Sequence, residues 1–212
     1  MKLTLKGYQS FASAQQEATQ REEVLDDLSI LRAFLMLSNE EVDSLPIKVV
    51  KSALESISEL LSKTEYKFKP TFKHKGVLYG FIPNLDSITY GENTDLVRYI
   101  SDWDTMHRAM AVAYRPVKKN WFGRPKLSNG KYVIEDYKGT SDADVFLDLD
   151  VEIVLGMQVF FYNLTKELVS SVPNYLESLG IQEEESMSSL PNGENMQSYI
   201  RSLKETSQSM NL

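Results

Sequence analysis

The chain has 212 residues, 42% of them hydrophobic and 25% charged, with a formal net charge of −7 and no cysteine. Such a length buries a core without a disulfide or metal staple, and the missing cysteines exclude a disulfide framework, a thiolate metal site and a cysteine nucleophile. His74 and His107 are the two histidines, too few for a multi-histidine metal centre, and the acidic balance argues against bulk attraction to nucleic acid or anionic lipid.

No apolar run at the N-terminus has the length of a signal peptide. The most apolar stretch, residues 151–164, is interrupted by Glu152 and Gln158 and is too short to span a bilayer. The expectation is an intracellular, unanchored protein.

Residues 2–9 suit a short strand or an extended lead-in, and residues 15–23 are good helix formers. From Val24 the spacing of Val24, Leu28, Leu31 and Leu35 predicts a helix, its apolar face widened by Leu25, Phe34 and Met36. Ser38-Asn-Glu-Glu41 is a capping-box pattern. The next helix has Ser44 as its expected cap and Pro46 at an early position, with Ile47, Val50, Leu54, Ile57 and Leu61 on one face. The period then changes. Residues 68–72, a turn at His74-Lys75-Gly76, and residues 77–82 read as a β-hairpin ended by Pro83.

Gly91 and Glu92 lead into a segment from Asp95 to Ile100. Gly91 suits a tight turn, and Glu92 is placed to satisfy amides at a helix start. Asp104 is the expected cap of a helix carrying Met106, Ala109, Met110 and Ala113, stopping near Arg115 because Pro116 follows. Arg115 is positioned to pair with Glu92 or Asp95 and clamp the hairpin region to the helix. Residues 118–131 form a basic loop with Trp121 and Phe122, and residues 131–137 a strand. Residues 147–153 alternate apolar and acidic side chains, as a strand or as the lead into a long helix over 150–171 that Pro173 ends or kinks. Residues 182–212, rich in Glu, Ser and Asn, read as a flexible acidic tail.

The candidate chemistry is sparse. Asp142, Asp144, Asp148, Asp150 and Glu152 gather five carboxylates, but the glycine and terminal glutamate of a calcium loop are missing. His107 has Asp102 and Asp104 nearby as acid–base partners, without a nucleophile in a Gly-x-Ser-x-Gly context. Phosphate-loop and dinucleotide fingerprints are lacking too. Lys118-Lys119-Asn120-Trp121-Phe122-Gly123-Arg124-Pro125-Lys126 mixes cations with rings, as nucleic-acid-binding loops do and as ordinary solvated loops do. Met157, Phe160, Phe161 and Tyr162 suit either a partner groove or core packing.

Several stretches together carry a resemblance: residues 79–92 (Tyr-Gly-Phe-Ile-Pro-Asn-Leu-Asp-Ser-Ile-Thr-Tyr-Gly-Glu), Asp95-Leu96, Met110-Ala-Val-Ala-Tyr-Arg-Pro116, residues 132–139 and Phe160-Phe-Tyr-Asn-Leu164. Over about residues 25–176 the chain resembles tail or baseplate assembly proteins of tailed bacteriophages, described also as tail assembly chaperones. The resemblance implies a non-enzymatic protein without cofactor or metal, which binds another viral structural protein in the host cytoplasm or stays in the virion. Binding to a membrane is not implied, and homo-oligomer formation is left open.

The reading is therefore an α+β fold: a mainly helical domain over residues 1–181 with a small antiparallel β-hairpin or sheet, and a flexible C-terminal tail over 182–212. The expected partner-binding residues are Met157, Phe160, Phe161, Trp121 and Phe122, with Gly91, Glu92 and Arg115 as a structural clamp. A chaperone for a viral component comes first. A minor virion protein of the tail or neck and a nucleic-acid-binding accessory factor are the alternatives.

Overall fold

Thr4 caps the first helix, α1 (Leu5–Gln20), its side chain accepting from the Gly7 amide. The computed structural model describes residues 2–178, and the expected strand over 2–9 shrinks there to the residues just before α1. The Leu5 amide donates to the Leu149 carbonyl at 2.8 Å and the Val151 amide to the Leu3 carbonyl at 3.0 Å, with Thr4 bridged to Asp150. The cap then turns the chain helical, which also delivers the rings of Tyr8 and Phe11 to Phe34.

Helix α2 (Asp27–Leu35) begins later than its apolar spacing suggests. Asp26 accepts from the Ser29 amide at 2.8 Å and sets the start, leaving Val24 outside the helix and 94% exposed. Helix α3 (Asn39–Asp43) carries the expected capping box between Ser38 and Glu41. Helix α4 (Ile47–Ser62) starts after Pro46, and the hydroxyl of Ser44 donates to the Glu41 carbonyl instead of capping it. Its buried stripe is Val50, Ala53, Ile57 and Leu60, one position round from the expected Leu54 and Leu61. These helices share a core of Leu31, Phe34, Val42, Val50, Ile57 and Leu60 with Leu3, Val151 and Leu155.

Strands β1 (Thr71–His74) and β2 (Val77–Phe81) form the expected hairpin. Its two-residue turn, Lys75-Gly76, has positive φ at both positions (45° and 80°), the geometry that matches the twist of paired strands. Strand β3 (Tyr114–Pro116) completes a sheet of order β1-β2-β3, antiparallel throughout. Helix was expected to reach Arg115, but it ends at Ala113. A residue before proline is driven to extended geometry, and here that geometry makes a strand.

Between β2 and β3 run α5 (Tyr90–Ile100) and α6 (Met106–Ala113). Asp102, not Asp104, serves the turn before α6 by accepting from the Asp104 amide at 2.9 Å. Helix α6 buries Met106, Ala109, Met110, Val112 and Ala113. An aromatic layer covers the sheet: Phe72, Tyr79, Phe81 and Tyr114, met by Phe146 with its ring centroid 5.0 Å from that of Tyr79.

Residues 147–153 are not a strand. A 3-10 turn (Ala143–Phe146) leads to helix α7 (Val151–Ser178), which continues through Pro173 instead of ending there. The chain is thus α+β, mainly helical with a small antiparallel sheet. It divides into two compact units, Met1–Gly156 and Met157–Leu212. The tail expected over 182–212 lies outside the described residues.

Candidate interaction site

The loop over 118–131 folds into a small meander of extended segments. Val117 bridges Ile134 and Lys119 bridges Pro125, while β4 (Leu127–Ser128) pairs with β5 (Lys131–Tyr132). Backbone bonds tie the layers: the Lys126 amide donates to the Lys118 carbonyl at 2.7 Å, and the Val133 amide to the Lys126 carbonyl at 3.0 Å. The strand expected over 131–137 is therefore only two residues of regular pairing plus one bridge. Its later residues leave this meander, and the Glu135 amide donates to the Pro116 carbonyl.

One turn of the meander displays two rings. The side-chain oxygen of Asn120 accepts from the amides of Phe122 and Arg124, each at 3.0 Å, and Gly123 adopts a φ of 71°. This local bonding shapes the turn and leaves Trp121 96% and Phe122 82% exposed. Leu127 is exposed as well. Lys118, Lys119, Arg124, Lys126 and Lys131 supply five cations between residues 117 and 134, and the segment contains no carboxylate. Lys118 is paired with Asp136 at 3.2 Å. The other four form no ion pair among the described residues.

Tyr132 fastens this finger to the sheet. Its hydroxyl lies 2.9 Å from the carbonyl oxygens of both Pro70 and Phe81, and its ring lies over Gly80. A Cβ at Gly80 would sit 2.5 Å from that ring. The Val117 amide donates to the Leu78 carbonyl at 2.8 Å, extending the attachment. Sequence reasoning missed this clasp. Its signal was a lone glycine among bulky strand residues, which marks a close approach.

The partner-facing residues expected on α7 require correction. Met157 is fully buried and Phe161 is 8% exposed, so neither presents surface to a partner. A helix apolar over most of its circumference buries side chains that a one-face projection leaves outside. Phe160 is half-buried, edge-on to Phe161 at 5.4 Å, and Tyr162 is exposed.

Glu92, Arg115 and Gly91 stand as follows. Arg115 donates from Nη1 to Glu92 Oε1 at 2.6 Å, joining β3 to the start of α5. Glu92 also completes a capping box with Thr89. Burial opposes ionisation of Glu92, but the Thr89 amide and hydroxyl together with Arg115 outweigh it and hold the carboxyl below its usual range. Asp95, the other partner considered for Arg115, accepts instead from the Tyr137 hydroxyl at 2.6 Å. Burial, and then that hydrogen bond to Asp95, push the Tyr137 phenol well above its usual range. Gly91 lies within α5, and a side chain there would meet open space, so no tight turn demands it.

The acidic residues between 142 and 152 do not converge. Asp148 pairs with Lys75 at 2.6 Å, Glu152 with Lys63 at 2.8 Å, and Asp150 accepts from the Glu152 amide at the start of α7. Among the described residues no group of three His, Asp or Glu side chains is placed to hold a metal ion. His107 faces Asp144 at 3.8 Å and Gln9 at 3.3 Å, not the expected Asp102 and Asp104 side chains. Among those residues, too, no helix is long and apolar enough to cross a membrane.

Comparison of the chain with family models, with curated proteins and with solved structures gives no match.

Proposed function

We propose that this chain is a protein-binding assembly factor of a tailed bacteriophage, chaperone-like toward another viral structural protein and acting in the host cytoplasm without catalysis or cofactor. The observation that carries the binding role is the finger's tip. Folding leaves Trp121 and Phe122 in water on a turn that is internally hydrogen-bonded. A Trp or Phe ring removes roughly 150–250 Å² from water when a partner covers it. At the usual transfer coefficient that is about 4–6 kcal/mol per ring before the cost of association. Large aromatics flanked by arginine are also the residues on which interfaces concentrate their binding energy. The viral context rests on the resemblance over residues 25–176.

The test is affinity capture from infected cells with the full chain and with a Trp121→Ala/Phe122→Ala variant. A viral structural protein retained by the native chain and lost with the variant is the expected result. Retention of no virion protein, or equal retention by both, overturns the proposal. Mass spectrometry of purified particles then separates a chaperone, which is depleted from them, from a minor virion protein of the tail or neck.

One observation favours a second reading, a nucleic-acid-binding accessory factor: the finger's five cations beside two exposed rings. Retention on single-stranded nucleic acid that falls steeply with salt is its signature.

A further inference from the structure

The finger has a chemical counterpart on the same unit. Residues 22–43 hold seven carboxylates, those of Glu22, Glu23, Asp26, Asp27, Glu40, Glu41 and Asp43, against the single cation Arg32. All seven residues are exposed. Asp26 and Glu41 are engaged in capping α2 and α3, while the other five form no ion pair among the described residues.

Three large apolar side chains lie among these charges: Val24 at 94% exposure, Leu28 at 46% and Met36 at 47%. Leu31 and Phe34 anchor α2 in the core, and Arg32 ties α2 to α3 through the Asn39 side chain. The result is an acidic, aliphatic surface on α2, α3 and the segment that leads into α2.

From this pairing of surfaces we infer that the basic finger of one copy docks on the acidic α2–α3 face of a second copy. Trp121 and Phe122 seat against Val24, Leu28 and Met36, and Lys119, Arg124, Lys126 and Lys131 face the carboxylates around them. Charge complementarity selects this occupant. The finger carries five cations and no carboxylate, and residues 22–43 carry seven carboxylates against one cation, on a chain whose net charge is −7. Contact within one chain is excluded because Trp121 and Val24 are both almost fully exposed. Two different surfaces meet, so the contact is heterologous and propagates head to tail, closing as a ring or extending as a filament. The inference does not depend on which viral protein the chain serves.

Sedimentation velocity of the full chain over a concentration series, at roughly 50 mM and 500 mM salt, reads the association. The native chain is expected to self-associate at low salt, with weakening at high salt and a blue shift of tryptophan emission as Trp121 is covered. Reversing the finger (Lys119→Glu, Arg124→Glu, Lys126→Glu) or the face (Glu23→Lys, Glu40→Lys, Asp43→Lys) weakens association by about tenfold or more.

An equimolar mixture of the two reversed proteins restores it, because each finger again meets a face of opposite sign. Circular dichroism and thermal melting of each variant establish that the fold is kept. If either reversal alone unfolds the chain, Trp121→Ala/Phe122→Ala replaces the finger variant and Val24→Ser/Leu28→Ser the face variant, each expected to weaken association. A native chain that stays monomeric at low salt overturns the inference, as does association unaffected by either set of substitutions. Binding of an oligothymidylate or of phosphatidylserine vesicles through Trp121 by a monomeric chain also overturns it, and assigns the finger to phosphate surfaces.

Discussion

Arg115 and Glu92 show how one pair of side chains joins two elements whose sequence positions are distant. Both are almost buried, with side-chain exposures of 12% and 7%, so removing one partner strands the other charge away from water. Arg115→Ala is expected to cost about 3 kcal/mol or more in a denaturant melt, and an unchanged midpoint would refute the clamp. The linkage has a definite sign. The Glu92 carboxyl titrates below its ordinary value of 4.5, so its contribution is full above that value and disappears as pH falls through the lower folded-state value.

His107 acts at higher pH. Burial lowers its pKa below 6.5; Asp144 opposes that shift, while Arg108 reinforces it. The Gln9 amide nitrogen reaches the Trp103 and Asp104 carbonyls and lies 3.3 Å from His107 Nδ1. The neutral form therefore stabilises the fold above pH 6.5, and that contribution declines as pH falls through the lower folded-state value. A His107→Gln variant should lack this part of the decline in melting temperature, measurable before the carboxylates titrate.

At the scale of elements, close backbone approaches decide the packing. A Cβ on Gly80 would meet the Tyr132 ring at 2.5 Å and Val117 at 3.0 Å, so Gly80→Ala must push the ring off β2. A loss of about 1–3 kcal/mol is expected, with faster amide exchange in residues 117–134 than in α4. Uniform exchange across both would count against the clasp. The β1–β2 hairpin was legible because a turn with glycine between runs of aromatic and branched residues is a local signal. Helix α4 was legible because its apolar steps span its own length. Strand β3 was not, since a three-residue strand exists only through its partner β2.

Across the first unit, one aromatic cluster forms where rings from β1 and β2 meet Phe146. Phe146 is 2% exposed and touches the rings of Phe72 and Tyr79. Phe146→Ala should cost about 3–5 kcal/mol through lost transfer energy and the cavity left behind. Trp121→Ala should shift stability by less than about 0.5 kcal/mol, because its ring touches little in the folded chain. Equal losses in calorimetry would contradict the division between a ring that holds the fold and a ring presented to partners.

Some local features came from neighbouring residues alone, although the caps expected at Ser44 and Asp104 did not form. The Ser38–Glu41 box, the Lys75-Gly76 turn and the run of α4 follow from bonds made within a few residues. The mixed α+β character follows from them in turn. Whether a large apolar residue faces core or solvent is set by what other segments lay against it. Met157 and Phe161 read as partner-facing yet are buried, while Trp121 and Phe122 stay in water. The same non-local choice gave Arg115 to Glu92 and Tyr137 to Asp95, and laid Tyr132 over Gly80. Burial and pairing depend on distances between segments far apart in the chain, and only the folded arrangement supplies those.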